Sequence, residues 1–274
     1  MSPDLIFWLA LAAKMAVAAA FVVLATVAAE RLGSLIGAMV ATLPISAGPA
    51  YIFLALDHDA AFIAASAAAS LVANAATIVF CTVYTVTAQS RGLLASLSAS
   101  LGTWIALAVL SRSLAWTVPG AVLLNVLVLA VCMPLVRRFR AAPMPATARR
   151  WYDIPLRAAM VAALVATVVA SSTRVGPSLT GILALFPIVL TSLMLIFHPR
   201  IGGPATATIT ANGLPGLAGY GAALLVLDLL AVPAGTAAAL TLALGVSIGW
   251  NLIILGRRRA QSAKVARLPA GGSR

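Results

Sequence analysis

Apolar residues run almost unbroken through nine stretches of this 274-residue chain, at about 5–29, 33–56, 60–88, 92–110, 115–136, 154–172, 177–198, 204–231 and 234–255. Each is solidly apolar for about twenty residues, the length a helix needs to cross the hydrocarbon core of a bilayer. Lipid cannot hydrogen-bond a bare backbone, so only helices and closed barrels span it. Barrel strands would alternate in polarity over about ten residues, and these stretches do not. The pattern predicts an all-α integral membrane protein with about nine transmembrane helices. Pro119, Pro155, Pro177, Pro204 and Pro233 fall near the first turns of spans, where a missing N–H costs no helical bond.

Composition agrees. The chain is 62% hydrophobic and 9% charged, with mean hydropathy +1.08, against about 25% charged residues in a soluble domain. That excludes a soluble enzyme, a nucleic-acid-binding protein, a disordered chain and a disulfide-rich secreted module. The net charge of +12 gathers in Arg137–Arg150 and Arg257–Arg274, beside apolar spans. Basic clusters so placed mark cytoplasmic loops, so the expected partner is the lipid bilayer and not nucleic acid. Four spans separate the clusters, which puts the N-terminus outside and the C-terminus in the cytoplasm of a bacterial-type inner membrane. MSPDLIFW carries no basic n-region, which reads as a retained first helix and not a cleaved signal. Cys81 and Cys132 lie inside apolar runs and read as inert buried thiols.

The chain also resembles itself. A shift of 143 residues sets Lys14 on Arg157, Arg31 on Arg174, Gly33 on Gly176 and Pro44-Ile45 on Pro187-Ile188. LGTWIALAVLSR at 101–112 resembles SIGWNLIILGRR at 247–258. The implied plan is a 4+1+4 inverted-topology repeat: a first four-helix repeat at 1–112, a linking helix and basic cytoplasmic loop at 113–153, a second repeat at 154–256 and a basic tail at 257–274. Five spans of displacement invert the second copy, as in many secondary transporters.

Chemistry is sparse. TLPISAGPAY at 42–51 and ALFPIVLTS at 184–192 place Pro44 and Pro187 at matching depths of two spans. Interior prolines free backbone carbonyls, and paired interruptions in two halves point to a midplane site; Ser46 and Thr191 lie beside them. A plain kink is the competing reading. Ser66, Ser70, Asn74 and Thr77 share one helical face. Thr206, Thr208, Thr210 and Asn212 precede Gly213, Pro215 and Gly216, where a break or bend is expected. Asn74 and Asn212 are the stronger binding candidates, because an amide has more groups to satisfy; Asn125 reads as structural. Lys14 and Arg157, equivalent under the repeat, either snorkel to the interface or contact an anionic solute.

All six acidic residues sit at or near span ends, with Asp228 the nearest approach to a buried relay. His58 and His198 occupy matching helix ends. No metal cluster, cofactor motif, catalytic dyad or phosphate loop is legible, so no enzyme activity, cofactor or metal is expected. The leading expectation is a small secondary transporter or facilitator moving a small solute by alternating access. The alternative is a membrane scaffold or assembly protein with no transported substrate. Self-association as a homo-oligomer stays open.

Overall fold

The computed structural model describes residues 2–31, 47–141, 145 and 150–266. These residues form nine helices and no strand: α1 (Pro3–Arg31), α2 (Ala47–Asp57), α3 (Ala60–Thr87), α4 (Leu93–Arg112), α5 (Val118–Arg137), α6 (Asp153–Ala184), α7 (Ile188–Ile201), α8 (Gly203–Ala231) and α9 (Thr236–Ala266). Seven segments among them are long and apolar enough to cross a membrane. The helices are those of a multi-pass membrane protein. Pro44 and Ser46 lie outside the described residues, as does all of 33–46 in the 33–56 stretch.

Local chemistry sets several boundaries. Asp59 caps α3, its carboxylate accepting from the Phe62 N–H at 2.8 Å. Thr117 caps α5, its hydroxyl accepting from the Gly120 N–H, with Pro119 in the first turn. Such caps satisfy N–H groups that a helix start leaves over.

The 49-residue apolar segment Asp153–Ile201 would extend about 70 Å as one helix, more than twice a bilayer core. It does not. Gly176 adopts φ 73°, ψ 175° inside α6, a conformation in which an L side chain is strained. A second break follows at Leu185–Pro187, where Pro187 takes ψ 50° and α7 begins. The chain thereby folds back, and Arg200 meets Asp153.

α3 is the axis of the bundle, with 67% of its central window buried, against 17% for α1 and α5 and 22% for α9. Around it pack α8, α4, α6 and α5; α9 lies on α8 and α1 on α6. The core joins Leu71, Phe80, Tyr84, Trp104, Met194 and Leu214, among others. Outward surfaces carry Trp8, Leu24, Leu94 and Val109, all more than half exposed. Apolar patches of that extent suit lipid and not water.

Two close approaches tighten the centre. A Cβ on Gly181 would lie 2.0 Å from the Ser66 carbonyl oxygen, and one on Gly203 2.0 Å from that of Ala88. The first joins α3 to the end of α6, the second joins α3 to the start of α8.

Polar contacts between helices fall in two groups, which alternate crossings would put toward opposite sides. At one face lie Lys14–Asp57 and His58–Ser172; at the other, Tyr84–His198, Thr85–Thr210 and Asp153–Arg200. These are called the Asp57 face and the Arg200 face below.

Two expectations need adjusting. α8 runs helical through Pro215 instead of breaking there. Only one N–H is withheld by that proline, and Ala211, whose carbonyl loses it, is fully buried. The Trp250 indole N–H donates to the Pro215 carbonyl at 2.9 Å, its ring seated on Gly219. α9 also continues to Ala266, past the apolar limit at Arg257. Arginine, alanine, glutamine and lysine are good helix formers, so leaving the apolar layer does not stop the helix.

Candidate functional site

The polar face of α3 is fully buried, with Ser66, Ser70 and Asn74 at 0% exposure. Ser70 stands eleven residues beyond Asp59, about 16 Å along the helix, near the middle of a bilayer core. Its hydroxyl donates to the Gly181 carbonyl at 2.7 Å. That proton being used, Ser70 accepts from the Tyr51 hydroxyl at 2.7 Å. A directed chain, Tyr51 to Ser70 to Gly181, thus links α2, α3 and the end of α6.

One turn further, the Asn74 amide N–H2 donates to the Asn125 side-chain oxygen at 2.9 Å and to the Leu217 carbonyl at 3.0 Å. The Asn125 N–H2 donates to the Leu71 and Ala121 carbonyls. All four partners are acceptors, which fixes the orientation of both amides. Asn74 Oδ1 is left over, buried and without a partner.

Three further buried hydroxyls have no partner: Ser66 Oγ, Thr191 Oγ1 and Tyr220 OH. Ser66 packs on Gly181. Tyr220 is in electrostatic range of Tyr51 and precedes Gly221, where a Cβ would sit 3.1 Å from Asn74 Nδ2. Tyr51, Ser70 and Asn74 therefore form one polar cluster on α2 and α3, with Tyr220 of α8 in its vicinity. Thr191 lies in the first turn of α7, beside the break at Pro187. At that break Phe186 stands edge-on to Trp104, with ring centroids 5.3 Å apart, and the Trp104 N–H is held by Thr77.

A groove of about 270 Å³ opens on the Asp57 face. Arg112, Trp116, Thr117, Val72 and Ile182 are among its lining residues. Ile182 follows Gly181, whose carbonyl ends the tyrosine–serine chain.

No protein-family model matches the chain, and no curated protein or solved structure matches it either. Function has to be read from the geometry alone.

The structure gathers some of the sequence candidates and scatters others. Asn74 lies in the central cluster. Pro187 and Thr191 lie at the α6–α7 break. Asn212 is elsewhere: its N–H2 donates to the Arg140 carbonyl at 3.1 Å, and Thr208 bonds the Phe139 carbonyl, so this stretch of α8 holds the end of the linking helix. Lys14 is engaged by Asp57, with Nζ 2.7 and 2.5 Å from the two carboxylate oxygens. Arg157 is half-buried and has a partner. Tyr51, Tyr220 and Gly181 escaped sequence reasoning, because a tyrosine or glycine in an apolar run reads as packing. The one usable signal was Tyr51, two residues after Pro49 in an interrupted span.

Proposed function

We propose that the chain is a small secondary transporter or facilitator, and that it moves a small uncharged, hydrogen-bonding solute through the Tyr51–Ser70–Asn74–Tyr220 cluster. The observation that carries this reading is the set of unpartnered polar atoms at mid-depth: Asn74 Oδ1, Ser66 Oγ and Tyr220 OH. Each such atom costs about 1–3 kcal/mol when left unbonded. A solute bearing both a donor and an acceptor would relieve them: Asn74 Oδ1 takes its N–H or O–H, and the hydroxyls bond its oxygen. Charge is not called for, since Lys14 is paired with Asp57 and the residues of the cluster, two tyrosines, a serine and an asparagine, are neutral.

The wider architecture supports it. We infer nine crossings from the apolar pattern of the sequence, the folded-back segment Asp153–Ile201 supplying two of them. Part of the pairing suits a pseudo-two-fold axis: α1 packs on α6 and α3 on α8; α4 packs on α3 as α9 on α8; α4 touches α7 as α9 touches α2, whereas α3 packs on α6 without a matching contact of similar extent of α8 on α1. The linking helix α5 touches both α3 and α8. Trp104 and Trp250, matched in sequence, each donate an indole N–H to the neighbouring helix of their own repeat. Inverted repeats around a midplane site with a broken helix are a transporter plan. Arg91, Arg137, Arg138, Arg150 and Arg200 all emerge on the Arg200 face, which we assign to the cytoplasm of a bacterial-type inner membrane.

The scaffold reading has one observation in its favour: both donors of Asn74 and both of Asn125 are saturated within the protein. Uptake decides. Proteoliposomes are tested with radiolabelled urea, glycerol and neutral amino acids. At least one should enter faster than into empty vesicles, and Tyr220→Phe, which removes only the free hydroxyl, should cut that rate about tenfold (about 1.4 kcal/mol). Uptake equal to empty vesicles across the panel favours the scaffold.

A further inference from the structure

Among the described residues, an ion pair joins the first two helices of each half of the chain, Lys14–Asp57 and Asp153–Arg200. Their positions are related. Taken without the three-residue gap that sets His58 on His198, the 143-residue shift that sets Lys14 on Arg157 also sets Asp57 on Arg200. Both of the latter stand at the C-terminal end of the second helix of a repeat, and each reaches back to the first helix of the same repeat. The polarity is reversed. In the first half the cation is on α1 and the carboxylate ends α2; in the second the carboxylate opens α6 and the cation is near the end of α7. Because the halves are inverted, one pair lies at the Asp57 face and the other at the Arg200 face.

Each pair is built to hold. Lys14 Nζ contacts both oxygens of Asp57. Arg200 grips Asp153 through both terminal nitrogens, one at 2.7 Å, the fork geometry that makes arginine–carboxylate pairs specific. The Tyr152 ring also lies under Arg200, 5.2 Å from ring centre to guanidinium carbon. The clamped segments are the end of α2 and the 14-residue helix α7. α7 follows the Pro187 break and carries Thr191, while α2 carries Tyr51. Histidines reinforce both ends, His58 on Ser172 and His198 on Tyr84.

We propose that these two charge-inverted pairs are the latches of alternating access. Release of Asp153–Arg200 frees α7 and opens the site to the Arg200 face; release of Lys14–Asp57 frees α2 and opens it to the Asp57 face. The proposal rests on the transport reading and adds its regulation. Side chains alone set the balance between the two openings, so neutralising one latch should favour opening at its own face.

The test is labelling of Ser66→Cys in a Cys81→Ala/Cys132→Ala background, in sealed vesicles of known orientation, with a membrane-impermeant maleimide applied from either side. Asp153→Asn should raise labelling from the Arg200 face at least about fivefold and lower it from the Asp57 face. Asp57→Asn should do the reverse. The exchanged pairs Asp153→Arg/Arg200→Asp and Lys14→Asp/Asp57→Lys should return the starting pattern, which a folding defect would not. Labelling from both faces that neither neutralisation shifts overturns the latches and leaves transport standing. Single-variant shifts that the exchanged pairs fail to reverse also overturn them. No labelling from either face in any variant overturns the transport reading and the latches together.

Discussion

Gly181→Ala should produce a large loss of folded protein for one added methyl group. The new Cβ would sit 2.0 Å from the Ser66 carbonyl oxygen and 2.8 Å from its carbon. Those atoms belong to the backbone of α3, the most buried helix, and cannot rotate aside as a flexible side chain could. α3 and the α6 end must move apart, which loosens the Ser70 hydrogen bond to the Gly181 carbonyl and with it the hold on Tyr51. Overpacking in a tight interior costs about 1–3 kcal/mol, and a backbone collision belongs at the upper end. Gly102→Ala is the control. It adds the same methyl to a helical position with nothing within 4 Å, and should be neutral or stabilising by about 0.5–1 kcal/mol. Melting of the two variants in detergent checks the contrast. Equal melting temperatures would mean that α3 and the α6 end are not in backbone contact.

The second large effect belongs to Asn74 and Asn125. Their side chains make four hydrogen bonds, three of which tie α3 to α5 and α8 while the fourth stays within α5. Asn125→Leu removes three of them and leaves one Asn74 N–H without its acceptor and the Leu71 carbonyl without its donor. Hydrogen bonds between membrane helices average only about 0.6 kcal/mol, but buried groups stripped of their partners cost about 1–3 kcal/mol. The second term dominates, so Asn74→Leu and Asn125→Leu should each lower stability by about 2 kcal/mol. In the double variant neither amide remains to go unsatisfied. It should be more stable than the sum of the single losses, by about 0.5–3 kcal/mol. Additive losses in a thermodynamic cycle would show that the two amides do not interact.

Much of the architecture was open to sequence reasoning, for a physical reason. A bilayer tolerates only saturated backbone, so unbroken apolar runs announce helices, and glycine–proline pairs such as Gly176-Pro177 and Gly202 with Pro204 announce where they stop. The long segment 153–201 shows the limit. Periodicity cannot say that Gly176 takes a positive φ; the starting proline at 177 and the matched Pro187 hinted at it. Contacts were less legible than elements. Lys14 and Asp57 are 43 residues apart, and a lone lysine in a span does not name its partner. Asn74 and Asn212 looked alike as amides in polar-dotted spans. Only packing distinguishes one at the bundle axis from one that fastens the end of α5. Ser66 was legible as part of a polar face. That its hydroxyl goes unbonded depends on Gly181, 115 residues away in sequence.

The central claim is that the polar cluster is a site reached in turn from the two faces of the membrane. Accessibility of Ser66→Cys, in the Cys81→Ala/Cys132→Ala background with both latches intact, tests it without knowledge of the solute. Ser66 makes no hydrogen bond to lose and is fully buried, so labelling reports opening and not static exposure. The account predicts slow modification by an impermeant maleimide from the Asp57 face and, in separate vesicles, from the Arg200 face. A cysteine that stays unmodified from both sides, in protein that melts like the parent, would contradict it.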